Sequence, residues 1–189
     1  YTAIMQKMID HPNIRLTLNK KFVPGESVST YNHVFYTGPL DAYFNYSYGR
    51  LGYRTVQFEK HYAAGDFQGL SQMNYCDEEV PYTRIAEHKH FTPWEQHDKT
   101  VYFKEFSSET GPDDVPYYPK RLHDDKQKLM QYRKHAESLQ GVSFLGRLAT
   151  YRYMDMHHVI GEAMQFADRF INAYTADTTI PVFSNNEEA

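Results

Sequence analysis

Cysteine is almost absent, with Cys76 alone among 189 residues. No intrachain disulfide can form and no cysteine-based zinc site can be built. Cys76 itself reads as a buried, inert thiol. Neither sign of charge is in large excess: Lys plus Arg number 20 and Asp plus Glu 24, a formal charge of −4. Such a chain has no overall attraction for nucleic acid or for anionic lipid, so any anion it binds is held by a few local cations. No apolar run approaches the roughly 20 residues of a membrane helix. The start, Tyr1-Thr2-Ala3-Ile4, has neither the basic opening nor the apolar core of a signal peptide. It also lacks an initiating Met, which reads as a chain cut from something longer and, with no export signal, as cytoplasmic. Missing too are G-x-G-x-x-G, a Walker loop, G-x-S-x-G and H-E-x-x-H.

What the chain has in plenty is aromatic rings: 17 Tyr, 12 Phe and 1 Trp, or 16% of residues. Disordered chains are poor in such residues, so this one folds. Tyr joins an apolar ring to a hydroxyl and suits sheets with one wet face or half-polar ligand clefts.

Residues 3–10 put Ile4, Met5, Met8 and Ile9 on one helical stripe, ended by His11-Pro12-Asn13. Ile14 to Leu18 alternates and predicts a strand. Gly25-Glu26-Ser27 predicts a turn. His33 to Tyr36 is a short, mostly apolar run stopping at Thr37-Gly38-Pro39, the pattern of a strand buried on both faces of a parallel sheet. Beyond Leu40 the texture changes. Residues 53–62, 68–76, 84–91 and 100–106 are polar-aromatic runs split by Gly, Asp and Pro, which predicts an antiparallel sheet with one wetted face. Residues 108–116 read as a loop. A polar helix is predicted from about 124 to 138, with Asp124 and Asp125 suiting its N-terminal dipole. Val142 to Leu145 reads as another buried strand, and a helix begins near Asp155, with Val159, Ile160, Ala163, Phe166, Ala167, Phe170 and Ile171 at helical spacing. The polar tail from Thr175 to Ala189 predicts a mobile end. Both ends therefore read as α/β and the middle as antiparallel β: an α+β chain in which a sheet module is inserted into an α/β domain that closes again near residue 142.

Three clusters can carry chemistry. Pro81-Tyr82-Thr83-Arg84-Ile85 sets an arginine on a polar strand among aromatics, where it can present a guanidinium fork to a phosphate. An ordinary surface ion pair is the plainer reading of that arginine. Pro116-Tyr117-Tyr118-Pro119 restrains two tyrosines, so that a hydroxyl is either pre-positioned for a ligand or packed in the core. Gly146 through Met156 joins a buried strand to a helix start through a loop rich in Tyr and Arg. The free N–H groups of the helix, with Arg147 and Arg152, suit an anion. The plainer alternative is that Asp155 only caps the helix and Arg147 only pairs with an acid. His88 and His90 share a face of the predicted strand without an obvious third ligand, and His157-His158 fares no better, so no metal is expected. Together the clusters point to a phosphate-bearing ligand without naming a reaction.

Longer stretches of sequence add a family. Tyr36-Thr37-Gly38-Pro39-Leu40-Asp41, Gly49-Arg50-Leu51-Gly52-Tyr53-Arg54-Thr55, Met73-Asn74-Tyr75, Pro81 to Arg84, Glu87-His88-Lys89, Pro93-Trp94-Glu95 and Gly146 to Met156 closely resemble the bacterial UDP-galactopyranose mutases, over about residues 1–174. The resemblance implies the C-terminal half of a flavoenzyme that interconverts UDP-galactopyranose and UDP-galactofuranose through a flavin N5–sugar adduct. It implies that residues 1–41 and 141–175 are parts of a Rossmann-like FAD-binding domain, that 42–140 form a substrate-binding sheet domain, and that 176–189 are a tail. It assigns Arg84, Tyr118 and Tyr153 to the substrate diphosphate, and Glu105 to an acid near the site. Asp155 falls beside flavin and sugar. Arg147 falls on the FAD pyrophosphate, Met156 on the flavin ring, and Phe22 or Val23 near the adenine. A homodimer is a family expectation. The family's glycine-rich fingerprint, uracil-binding helical domain and second phosphate-clamping arginine have no counterpart in these residues, so the chain by itself is expected neither to bind FAD tightly nor to turn substrate over. The alternative is a stand-alone module binding carbohydrate or a nucleotide sugar without catalysis.

Overall fold

The computed structural model describes residues 2–24 and 30–185; the turn predicted at Gly25-Glu26-Ser27 and the acidic end of the tail lie outside them. The architecture is α+β, with a two-stranded parallel pair beside a five-stranded antiparallel sheet.

Two of the polar-aromatic runs read after Leu40 become long strands. β2 (Tyr53–Ala64) and β5 (Lys99–Glu109) pair without a slipped residue from Arg54↔Glu109 to Ala64↔Lys99. β4 (Arg84–Glu87) lies on the other side of β5, with the short β3 (Gln72–Asn74) at that edge. β6 (Tyr118–Pro119) closes the opposite edge against β2. Register decides which side chains share a face, because residues opposite one another across a ladder point the same way. Arg84 lies opposite Glu105, Glu105 opposite Phe58, and Tyr118 opposite Arg54. Phe58 and Arg54 are an even number of residues apart on one strand, so Arg84, Glu105 and Tyr118 occupy one face.

Between Leu40 and Gly52 the backbone is held by buried side chains. Asp41 accepts hydrogen bonds from the N–H groups of Ala42 (3.0 Å) and Leu51 (2.9 Å). Burial raises its carboxyl pKa against the lowering effect of those bonds. The Asp125 carboxylate, at the start of α3 (His123–Ala136), accepts from Gly52 N–H at 2.9 Å and from Leu122 N–H at 3.1 Å. A Cβ at Gly52 would fall 2.8 Å from that carboxylate, which explains why glycine stands there. Tyr132, fully buried, donates to Gly49 O at 2.7 Å. Tyr151 does the same for Gly52 O at 2.6 Å.

Behind this hub, β1 (Val34–Tyr36) and β7 (Val142–Phe144) run parallel in the register Val34↔Val142. Three helices flank the pair: α2 (Leu40–Tyr43), α4 (Gly146–Ala149) and α5 (Met156–Thr175). The core gathers Leu40, Tyr43, Leu129, Tyr132, Phe144 and Tyr151.

Several expectations are corrected. β1 is half-buried rather than covered on both faces, since Phe35 is exposed; β7 is buried throughout. Ile14 to Leu18 forms no strand and is exposed. Alternation defines a strand only when a neighbour completes its ladder, and among the described residues nothing pairs with it. The stripe of α1 (Thr2–Ile9) is likewise exposed. The tail does not hang free as far as residue 185: Phe144 N–H donates to Val182 O (2.7 Å), Ser184 N–H donates to Phe144 O (3.1 Å), and Phe183 is buried on Phe144. Cys76 is exposed rather than buried.

His88 and His90 do not share a strand face, because β4 ends at Glu87 and a 3₁₀ turn, His88–Phe91, follows. His90 instead meets Asp66 at 2.8 Å and Glu87 at 3.6 Å, so it has the company that its local sequence did not reveal. The three could surround a cation by proximity alone. Backbone donors already engage both acids: fully buried Glu87 accepts from Phe67 N–H (3.0 Å) and Gln68 N–H (2.8 Å), and Asp66 accepts from Gly69 N–H (3.2 Å). The trio is a clasp on the loop after β2.

Candidate functional site

Gly146, at φ 77°, turns the chain off the end of β7, where Leu145 N–H bonds Tyr36 O at 3.0 Å. That turn lifts Arg147 toward the edge of the sheet. Its Nε donates to Met154 O at 3.0 Å, Nη2 donates to the same carbonyl, and Nη1 donates to Tyr117 O at 3.3 Å. The guanidinium lies 5.2 Å from the ring centre of Tyr118 and 5.0 Å from that of Tyr153. Those two rings are themselves stacked, 5.8 Å apart at 20°. A cation is thus set against two phenols, a favourable use of the ring quadrupoles. Among the described residues neither phenol hydroxyl has a protein hydrogen-bond partner, and Tyr153 is 62% exposed. A guanidinium against two rings whose hydroxyls have no partner among the described residues suits a phosphate oxygen.

The loop carrying Tyr153 is closed on itself. Arg152 N–H donates to Arg147 O at 3.0 Å, and Tyr151 takes φ 51° with its ring fully buried. The Arg152 side chain is not the second free cation the sequence suggested. It donates to Thr150 Oγ1 at 3.0 Å and to both oxygens of Glu162 at 2.6 and 2.5 Å. Its charge is therefore neutralised within the protein.

Asp155 stands at the N-cap of α5 without bonding the first-turn N–H groups. Its side chain does not cap the helix: the carboxylate is exposed, with the His158 ring Nδ1 at 3.9 Å. Met156 opens the helix and is exposed, and the first-turn N–H groups have no carbonyl partner within the helix. Asp155, His157 and His158 are close enough to share a cation, but all three are solvent-exposed.

Arg84 and Glu105 form a second group. Arg84 Nε donates to Asn74 Oδ1 at 2.9 Å, and Nη1 lies 3.6 Å from Glu105 Oε2. The ion-pair reading is thus correct as far as it goes, but the pair is loose, and Nη2 has no partner among the described residues. Thr83 Oγ1 donates to Glu105 Oε1 at 3.3 Å. No hydrogen bond, ion pair or ring contact among the described residues joins Arg84 and Glu105 to the Arg147 group. The two share the sheet face through register alone.

Phe22 packs on Tyr36 (5.6 Å) and Tyr43 (6.4 Å) and, with Lys21 and Gly38, borders a cavity of about 430 Å³. Val23 is exposed. A second, apolar cleft of about 420 Å³ lies at the carboxyl ends of β1 and β7, walled by Phe35, Gly146, Val159 and Phe170. Ligands of open α/β sheets sit at such strand ends.

Two participants escaped the sequence. Asn74 reaches Arg84 through the β3–β4 register, a pairing that the hairpin spacing of the two segments could have disclosed. Glu162 reaches Arg152 across a loop and a helix start, for which no local pattern exists.

The family model described as "UDP-galactopyranose mutase" matches residues 1–153. A probable UDP-galactopyranose mutase of Klebsiella pneumoniae is 48% identical over 184 residues, 97% of this chain and 48% of that protein. A dTDP-fucopyranose mutase of Escherichia coli is 45% identical over 177 residues, 90% of this chain and 47% of that one. A UDP-galactopyranose mutase of Mycoplasma pneumoniae is 31% identical over 189 aligned residues, 90% of this chain and 46% of its own length. The chain thus spans about half the length of these relatives. With the motifs from Tyr36 to Met156 and this match, the chain belongs to the UDP-galactopyranose mutase family.

Proposed function

We propose that this chain is the C-terminal, sheet-bearing part of a flavoenzyme interconverting UDP-galactopyranose and UDP-galactofuranose. The observation that carries the reading is Arg147 set against the stacked phenols of Tyr118 and Tyr153 at the carboxyl end of the β1–β7 pair. In this reading residues 1–41 and 141–175 belong to a Rossmann-like FAD-binding domain, 42–140 form the substrate-binding sheet domain, and 176–189 are the tail. The protein works in the cytoplasm, binds neither nucleic acid nor membrane, and pairs as a homodimer. Among the described residues no helix is long and apolar enough to cross a membrane. A stand-alone binding module is not favoured, given relatives named as mutases at 48% and 45% identity.

When bound, reduced FAD supplies the nucleophile toward the sugar's anomeric carbon. This chain's residues do the rest by holding the diphosphate. Arg84, with its open Nη2, and the hydroxyls of Tyr118 and Tyr153 receive the phosphate oxygens as negative charge grows on the departing nucleotide. Glu105 steers Arg84 from the adjacent strand, and Asp155 offers a free carboxylate at the sugar side. Arg147 and the Met156 N–H face the cofactor, while Phe22 and Val23 border its adenine end. The match to the dTDP-fucopyranose mutase keeps a thymidine diphosphate deoxyhexose as the second reading of the substrate.

The test is titration of UDP into the 189-residue chain, followed by NMR. Wild type is expected to shift the signals of Tyr118, Tyr153 and Arg84, and Arg84→Ala to lose most of that affinity. In an assembled mutase the same variant is expected to lose turnover worth about 2–4 kcal/mol while keeping its flavin. Unchanged UDP affinity in Arg84→Ala would overturn the phosphate role.

A further inference from the structure

We propose that Glu162 is a positioning residue for the Tyr118–Arg147–Tyr153 stack, acting through Arg152 and locked by Ser184 of the C-terminal segment. The inference rests on the reading of that stack as the phosphate-facing element. Arg152 immediately precedes Tyr153, and its N–H closes the loop onto Arg147 O. Where the Arg152 side chain is anchored therefore sets the direction in which Tyr153 leaves the loop.

The anchor is Glu162, in the second turn of α5, which takes Arg152 with both carboxylate oxygens. The two side chains are only 16% and 17% exposed, so neither charge is well hydrated without the other. Glu162 is fixed in turn from the far side. Ser184 Oγ donates to Glu162 Oε1, Arg169 donates to Ser184 O, and Ser184 N–H is paired to Phe144 O of β7. A continuous run of bonds thus leads from the tail, through α5, to the loop of Tyr153.

The same carboxylate also shapes the field. Arg147 and Arg152 lie five residues apart on one closed loop, yet Glu162 cancels the second and leaves Arg147 as the cation presented beside the stacked phenols. Glu162 borders the apolar cleft on one side and, on the other, a polar cavity of about 460 Å³ shared with Tyr153, His157 and His158. All of these partners beyond Tyr153 lie outside the region covered by the family model, which ends at residue 153.

The experiment compares Glu162→Ala, Glu162→Asp and Ser184→Ala with wild type in the 189-residue chain. Three readouts are followed: ring resonances of Tyr118 and Tyr153, UDP affinity by NMR titration, and the thermal midpoint. Glu162→Ala is expected to move both ring signals toward those of unstacked tyrosine and to weaken UDP about fivefold or more. Glu162→Asp is expected to restore part of both, and signals from β2 and β5 to stay in place. If the midpoint falls while ring signals and UDP affinity hold, Glu162 is merely structural and the inference fails. If wild type shows no UDP binding at all, the phosphate reading fails, while the ring signals still decide whether Glu162 sets the stack. Should Glu162→Ala not fold, Ser184→Ala carries the same readouts, with a smaller displacement expected and none refuting the lock.

Discussion

Tyr53 and Tyr151 touch edge to face, 5.2 Å apart at 90°, and removing one oxygen from each should act in opposite directions. Both rings are buried, at 5% and 0% exposure. The Tyr151 hydroxyl donates to Gly52 O at 2.6 Å and accepts from Arg121 N–H at 3.4 Å. Gly52 O keeps Lys120 N–H at 2.9 Å in its absence, but Arg121 N–H loses its acceptor. Tyr151→Phe should therefore cost about 1–2 kcal/mol, one hydrogen bond and part of a desolvation penalty. Among the described residues the buried Tyr53 hydroxyl has no hydrogen-bond partner. It has been taken out of water without compensation, a burden of about 1–3 kcal/mol that Tyr53→Phe would relieve. The ring packing survives in both variants, so the contrast isolates the hydroxyls. Thermal and urea unfolding of the single and double variants measure it, and for a chain of this size each kcal/mol moves the midpoint by about 2–4 °C. Because the rings touch, a modest non-additive term is expected in the double variant. A destabilised Tyr53→Phe, or equal losses at the two sites, would refute the reasoning.

Other outcomes follow from the same geometry. Arg147→Met should unstack Tyr118 from Tyr153 and, in an assembled mutase, weaken flavin retention; unchanged flavin content removes Arg147 from the cofactor. Asp66 sits below the usual carboxylate range chiefly because of its bond to His90. Glu87 also sits below it: burial raises its pKa, but hydrogen bonds, those from the Phe67 and Gln68 N–H groups among them, outweigh that effect. Both carboxyls thus stabilise the fold fully above the ordinary carboxylate pKa of about 4, and lose that contribution as pH falls through their lowered folded values. Amide exchange at Phe67 and Gln68, corrected for intrinsic rate, should accelerate in that acid window. Glu87→Gln should flatten the dependence, and coincident profiles would dismiss the clasp. Ending the chain after Thr179 should expose Phe144 and lower the thermal midpoint by roughly 10 °C, since loss of the buried Phe183 ring costs about 3–5 kcal/mol. An unchanged midpoint would make the C-terminal segment an ornament.

The elements that repeat a period were legible from residues alone. β2 and β5 are polar-aromatic runs bounded by turn residues, and α5 carries its apolar residues at helical spacing, so all three lie close to where the pattern put them. Ile14 to Leu18 alternates and forms nothing, because a period is a local property and a ladder needs a neighbour. β6 is two residues long and α4 four, too short to leave a period. The strap at Val182 to Ser184 looked like polar tail, since what holds it is a buried β7 far away in sequence. Within the site, Tyr118 stood out by its flanking prolines and Arg147 by its place after a buried strand, Tyr153 was named by the resemblance, and the three do meet. The loss of the Arg152 charge was invisible, because its partner Glu162 answers to tertiary packing and not to spacing. The resemblance named roles for Arg84 and Glu105, whereas the β4–β5 register supplies the reason they face each other.

The parallel pair has a consequence for how the molecule assembles. Val34 must wait for Val142, and everything between them is chain that has to be looped out. Closing so long a flexible loop is entropically costly, and a compact intervening unit shortens it. The antiparallel ladder of β2 and β5, with β3 and β4 folded between them, can form from nearer contacts first. On that order of events the sheet is the scaffold on which the two ends find each other, and the crevice beside Arg147 is the last part of the molecule to exist. A lesion deep in the sheet would then delay the birth of a site it never touches.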